Sequence, residues 1–211
     1  MSGLAPAPRA PRRSHAERRE EAERRLLEAA LQIVARRGSV RMTLAEVAEA
    51  AGYSRGLPAH RFGSKAGLVH ALAGYIGERF GATRERGPAL EPGLEAILGN
   101  IKFYFSRKGE AYTATRALLV MMTESCMEPN TELKREVAAY NRKALAWFEQ
   151  HIRSGIERGQ IGADNDPAVT AVILLGAMRG VMLQWLVDDH IDLASVRDRL
   201  LQIAAQVLRP Q

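Results

Sequence analysis

The sequence predicts an all-α protein, with a small three-helix unit at its N-terminus and a larger helical part behind it. Apolar residues recur at three- and four-residue spacing along most of the chain, and no stretch alternates long enough for a strand. Glycine, proline and helix-capping residues punctuate those segments. Charge divides the chain as well: residues 1–65 hold 13 Lys and Arg against 7 Glu, whereas residues 66–211 hold 17 basic and 17 acidic groups. The whole excess of +6 therefore sits on the first third, the footprint of a polyanion-binding unit joined to a neutral one.

The first fifteen residues, MSGLAPAPRAPRRSH, mix proline and arginine without an apolar run. They read as a disordered basic arm and not as a secretory signal. From Ala16 to Arg37, the spacing of Leu26, Leu27, Ala30, Ile33 and Val34 predicts an amphipathic helix, which Gly38 ends. Thr43-x-x-Glu46 is a capping box. Behind it, Leu44, Val47, Ala48 and Ala51 form the buried stripe of a helix about two turns long, closed by Gly52 where a left-handed residue is wanted. Ser54 is expected to cap a third helix running to about Arg61. In that register Pro58 is the fourth helical residue, and its missing amide removes the first intrahelical bond. A helix beginning near Leu57 would instead put Pro58 in the first turn, where proline is tolerated. The sequence leaves both registers open.

Two short helices joined by a glycine turn, after a longer one, have the form of a helix-turn-helix unit. The helix after such a turn enters the DNA major groove, and its N-terminal amides suit phosphate. Gly56 then allows close approach to the duplex. The stretch MTLAEVAEAAGYSRG…HRFGSKAGL resembles the DNA-binding region of the TetR family of transcriptional regulators, over about residues 22–72. The resemblance implies that Thr43 contacts phosphate, that Ser54, Arg55, Gly56 and Leu57 lie on or near the groove, and that His60 and Lys65 hold the DNA backbone. Tyr53 stands where many members have a smaller apolar residue, and either packs or reaches phosphate. Two positions depart from the family pattern. Pro58 occupies the place of a leucine-like core residue, and Ala59 that of a phosphate-contacting tyrosine.

Beyond Leu68 the pattern predicts helices at about Lys65–Arg84, Pro92–Arg107, Ala111–Met127, Thr131–Arg158, Pro167–Asp188 and Leu193–Leu208. Asp166-Pro167 is a helix-start signal. The helix it opens is apolar nearly all round, yet central Arg179 argues against a membrane span. A helix apolar on every side must be covered on every side. With the seam Leu193, Val196, Leu200, Ile203 and Val207, it predicts a four-helix homodimer interface including Val172, Gly176, Val181, Trp185, Val196, Leu200 and Ile203, where TetR-like proteins dimerise. Phe103, Tyr104, Met121, Met122 and Trp147 belong to a soft, aromatic stretch consistent with plain core packing. The resemblance adds the expectation of a pocket there for an apolar or aromatic effector.

The resulting expectation is a basic arm (1–15), a helix-turn-helix DNA-binding domain (16–65) and an effector-binding and dimerisation domain (66–211). Its function would be that of a cytoplasmic homodimeric repressor, binding a palindromic operator in double-stranded DNA and released by the effector. No cofactor or metal is expected, since lone Cys126 forms no internal disulfide and the Cys and His residues lack zinc spacing. His151 and His190 have no recognisable partner in sequence, which leaves an enzyme as a weak rival. A DNA-binding regulator without a small-molecule effector is the other alternative.

Overall fold

The computed structural model describes residues 14–85, 90–106, 110–127 and 132–210, so most of the expected basic arm lies outside the described residues. Its last two residues open a helix: Ser14 and Glu17 form a capping box at the start of α1, His15–Arg37. The helices that follow are α2, Leu44–Ala50; α3, Leu57–Phe62; α4, Lys65–Glu85; α5, Leu94–Phe105; α6, Glu110–Met127; α7, Glu132–Glu157; α8, Pro167–Val187; and α9, Leu193–Leu208. No strand occurs among the described residues. The predicted long helices are all present, with ends shifted by one or two residues, the usual scale of fraying and capping.

Two apolar cores organise the molecule. The first gathers Leu26, Ala30 and Val34 of α1, Val47 of α2 and Leu68, Leu72 and Ile76 of α4. It also takes Ala114, Ala117 and Met121 from α6 and Val137 from α7. Burying each large aliphatic side chain contributes about 1.5–3 kcal/mol, so the C-terminal helices supply a real share of this core's stability. The second core joins Ile97, Ile101 and Tyr104 of α5, Phe148 and Ile152 of α7, Met178 and Met182 of α8, and Ala204 and Leu208 of α9. Met122 packs against both cores.

Helix α8 begins as its sequence requires, with Pro167 in the first turn and the Asp166 carboxylate accepting the Val169 N–H at 2.9 Å. Its inner stripe, Ala171, Leu174, Leu175, Met178 and Met182, is buried. Its outer stripe is bare: Val169, Val172, Ile173 and Val187 are 58%, 56%, 63% and 87% exposed, and Gly176 and Gly180 lie exposed between them. By length and hydropathy alone α8 suffices to cross a membrane, but its inner face is packed into the bundle. On α9, Ile203 and Val207 extend the bare surface. Asp192 caps that helix, its carboxyl held below the usual range first by the Ser195 hydroxyl and then by the Ser195 and Ala194 amides.

Candidate nucleic-acid interface and associated cavity

The interface starts from α2. Thr43 Oγ1 accepts the Glu46 N–H at 3.2 Å, and Glu46 accepts the Thr43 N–H at 3.0 Å, which completes the capping box. At the other end the Tyr53 N–H donates to the Ala48 carbonyl at 2.9 Å and the Gly52 N–H to the Glu49 carbonyl at 3.1 Å. These are the two bonds of a Schellman turn, and Gly52 takes its left-handed position at φ +75°. The turn places Tyr53 against the first core, half-buried.

The third helix starts later than a Ser54 cap would give. Ser54 does not cap it; the Ser54 carbonyl instead accepts the Leu57 N–H at 3.0 Å in a turn, and Gly56 is the residue before the helix. Pro58 is then the second helical residue, where an amide has no intrahelical partner to lose. It is also buried, so the ring fills the core place where the TetR-like pattern has a leucine-like residue. Ser54, Arg55, Gly56, Ala59 and His60 are each exposed, while Leu57 is half-buried against the first core. The Arg61 Nε is buried without a hydrogen-bond partner among the described residues.

Part of the basic excess is internally compensated. Arg24 and Arg25 bridge to Glu21 at 2.7 Å, Arg24 also reaches Glu28, and Arg37 pairs with Glu46 at 3.2 Å. Arg18, Arg19, Arg36, Arg41 and Arg55 make no ion pair among the described residues and remain available to a polyanion.

The connector between α1 and α2 is held from a distant helix. The Ser39 N–H and hydroxyl donate to Glu124 Oε2 at 2.9 and 2.5 Å, and the Val40 N–H approaches Glu124 Oε1 at 3.4 Å. Glu124 belongs to α6, and Ser39 is only 3% exposed. Lys65, at the start of α4, donates its Nζ to the Val40 carbonyl at 2.5 Å, so its ammonium already has one internal acceptor. Gly38 has two reasons to lack a side chain: its φ is +85°, and an added Cβ would collide with Glu124 Oε1.

A cleft-like cavity of about 820 Å³ opens between α4, α5, α7 and α8. Tyr104 and Trp147 line it, as do Phe80, Asn100, Tyr140, Phe148, Met178 and Arg179. Of the remaining residues assigned to an effector, half-buried Phe103 is outside this lining, Met121 is fully buried in the first core, and Met122 lies between the cores. Arg179 donates to Asn141 Oδ1 on α7, and burial lowers its guanidinium pKa from the ordinary range. At the mouth, the exposed His70 Nδ1 lies 2.5 Å from Glu136 Oε2.

Arg179 gave a signal in the sequence, as the single charge in an apolar helix, but its place in a cavity did not show there. Asn100, Phe80 and Tyr140 carried no signal. The two histidines are partnered: His151 accepts the Gly93 N–H at 3.3 Å and tilts against Trp147, and His190 lies 3.1 Å from Asp188.

Fold and exposed surface define a helical DNA-binding regulator. Residues 26–72 match the family described as bacterial regulatory proteins, tetR family, and residues 94–209 match the BetI-type transcriptional repressor C-terminal region. The chain belongs to the TetR family of transcriptional regulators, which act as DNA-binding factors and not as enzymes. It is 24% identical over 198 residues to the HTH-type transcriptional regulator TtgR of Pseudomonas putida, covering 92% of this chain and 94% of that protein. A solved Rhodococcus sp. chain described as a TetR-family transcriptional regulator superposes with a TM-score of 0.79 at 23% identity, covering 90% of this chain and 99% of that one. A SmeT–triclosan complex superposes with a TM-score of 0.75 at 22% identity, covering 90% and 92% of the two chains.

Proposed function

We propose that this regulator is a homodimeric repressor that grips a palindromic operator through α2 and α3 and lets go when a small molecule fills the cavity. Ser54, Arg55, Gly56, Ala59 and His60 form the groove-facing surface, and Thr43 and Tyr53 flank it. Lys65 adds charge at the DNA backbone while bracing the connector. This function places the protein in the cytoplasm, with the DNA it reads.

One observation carries the regulatory half: the cavity wall and the DNA-binding unit share a helix. Helix α4 leaves α3 after only Gly63 and Ser64, with Ser64 Oγ accepting the Gly67 N–H at 3.0 Å, and Phe80 further along the same helix lines the cavity. A ligand that changes the setting of α4 must therefore act on the unit that α4 supports. The shift requires different affinities for the two arrangements, and a coupling of about 1–3 kcal/mol would be ordinary. The SmeT–triclosan complex supports a small aromatic occupant for a fold of this kind.

Dimerisation is supported by the bare stripe of α8 and its continuation on α9. Val172, Gly176 and Ile203 are exposed on it, and Val181, Trp185, Val196 and Leu200 are half-buried beside it. A contiguous apolar surface of this kind marks an association site. Two subunits joined there would present two α3 helices to successive major grooves, about 34–36 Å or somewhat more apart. The test is genome-wide footprinting of purified protein, with and without a ligand library, alongside analytical ultracentrifugation. Protected sites with two-fold symmetry and a dimeric mass support the proposal; a monomer at micromolar concentration, or binders that never alter DNA affinity, refute the corresponding half.

A further inference from the structure

We propose that the cavity takes an organic monocarboxylate, its head group received by Arg179 and Asn100 and its apolar body lying against Phe80, Trp147, Phe148 and Met178. The proposal rests on the reading of this cavity as the effector site and names the class of ligand.

Two polar groups set among the apolar and aromatic residues of the wall, away from the charged residues at its edge, carry it. Arg179 is half-buried, and its hydrogen-bond partner among the described residues is the neutral Asn141 amide; no Asp or Glu there pairs with it. A guanidinium stays charged wherever it is placed, and a cation taken from water without a counterion is costly. Its planar fork can donate two parallel hydrogen bonds to a carboxylate, and Asn141 occupies only part of that fork. Asn100 is the second group. It is 9% exposed, lines the same cavity, and its side-chain amide makes no hydrogen bond among the described residues. Buried amides are ordinarily satisfied, so one left open toward a cavity points to an absent partner. Asn100 and Tyr104 stand four apart on α5, which sets both on one face, as Leu175 and Arg179 do on α8.

The other charges around the cavity do not supply that anion. Glu136 is engaged by His70, while Glu23, Glu78 and Lys143 are exposed at the edge, where water screens them. A phosphate, with more charge and three acceptor oxygens, would need more donors than one arginine and one amide. A single carboxylate on an alkyl or aryl body matches the set.

Calorimetric titration with matched probes tests this. Octanoate, 1-octanol and octylamine share an alkyl body, while 4-phenylbutyrate and 4-phenylbutan-1-ol share an aryl one. At pH 7 each carboxylate is expected to bind at least about tenfold more tightly than its alcohol, and octylammonium more weakly than 1-octanol. The pair with the larger preference tells a linear acyl ligand from an aryl one. Arg179→Gln should erase the preference by weakening carboxylate binding far more than alcohol binding, Arg179→Lys should keep part of it, and Asn100→Ala should reduce it. Octanoate binding no better than 1-octanol, or a preference that survives Arg179→Gln, overturns the proposal. If alcohols bind without preference, the head-group assignment falls and the cavity remains an effector site; if no probe binds, both fall. Should Arg179→Gln fail to fold, the contrast between octanoate and octylammonium in the unaltered protein decides.

Discussion

Removing the Glu124 carboxylate should loosen the link between α6 and the helix-turn-helix unit. In Glu124→Ala, the Ser39 N–H and hydroxyl lose their acceptor on a residue 3% exposed, where water does not readily replace it. Each hydrogen bond to an ionised acceptor contributes about 1.5–3 kcal/mol. The 3.4 Å approach of the Val40 N–H adds little at that length. Relief of the carboxylate's own desolvation offsets part of the loss, leaving a net cost of about 3 kcal/mol. For a chain of this size that corresponds to a fall in Tm of roughly 6–12 °C. Glu124→Gln, which keeps an acceptor but not the charge, should lose about half as much. Hydrogen exchange gives the local assay, since the Ser39 and Val40 amides should exchange faster in Glu124→Ala while the α1 amides of Leu26 and Ala30 keep most of their protection. A double-mutant cycle with Gly38→Ala sharpens the test. Alone, that change costs about 1–3 kcal/mol, because φ +85° with ψ 166° is a backbone region essentially reserved to glycine. It also drives its new Cβ into Glu124, so the two losses should be less than additive by about 1–3 kcal/mol. Full additivity, together with unchanged Ser39 exchange in Glu124→Ala, would refute the latch.

Three further outcomes follow from the interface and the bare stripe. Pro58→Ala empties part of a buried site and frees the unfolded chain, so it should cost about 2 kcal/mol in urea unfolding, from two lost ring carbons and added unfolded-state entropy. Ile173→Glu, on the outer face of α8, should give a folded monomer in sedimentation and abolish operator binding; a persistent dimer would place the interface elsewhere. Arg55→Ala should relax preference at particular base pairs by about 1–3 kcal/mol each in selection from randomised duplexes, whereas a uniform loss at every sequence would make Arg55 a phosphate contact.

Helical periodicity and capping were legible because they are local. Thr43 and Glu46, Gly52, Gly38 and the Asp166-Pro167 start all lie within a few residues of what they control, and each does what its chemistry indicated. Ser54 did not, although it is a good capping residue. Pro58 fits the first turn and the core only when the helix begins at Leu57, and that choice depends on burial as well as propensity. Contacts across the fold were the illegible part. Glu124 and Ser39 are 85 residues apart, and nothing local about a glutamate near the end of a helix names its partner. The cavity draws its wall from several helices, so Tyr104 and Trp147 were found by type, whereas Met121, of the same soft character, faces the other core.

The first core has a consequence for anyone wishing to exchange reading heads between regulators. Leu68, Leu72 and Ile76 of α4 and Ala114, Ala117 and Met121 of α6 complete the hydrophobic contacts of α1 and α2. A fragment cut at Lys65 would lose all of these partners, and a chain of so few residues has little core to spare. The reading head is therefore not a detachable cassette. A chimera that keeps its specificity must carry α4 with it and preserve the α6 surface opposite α1, and the glycine at position 38 must travel together with the glutamate at 124.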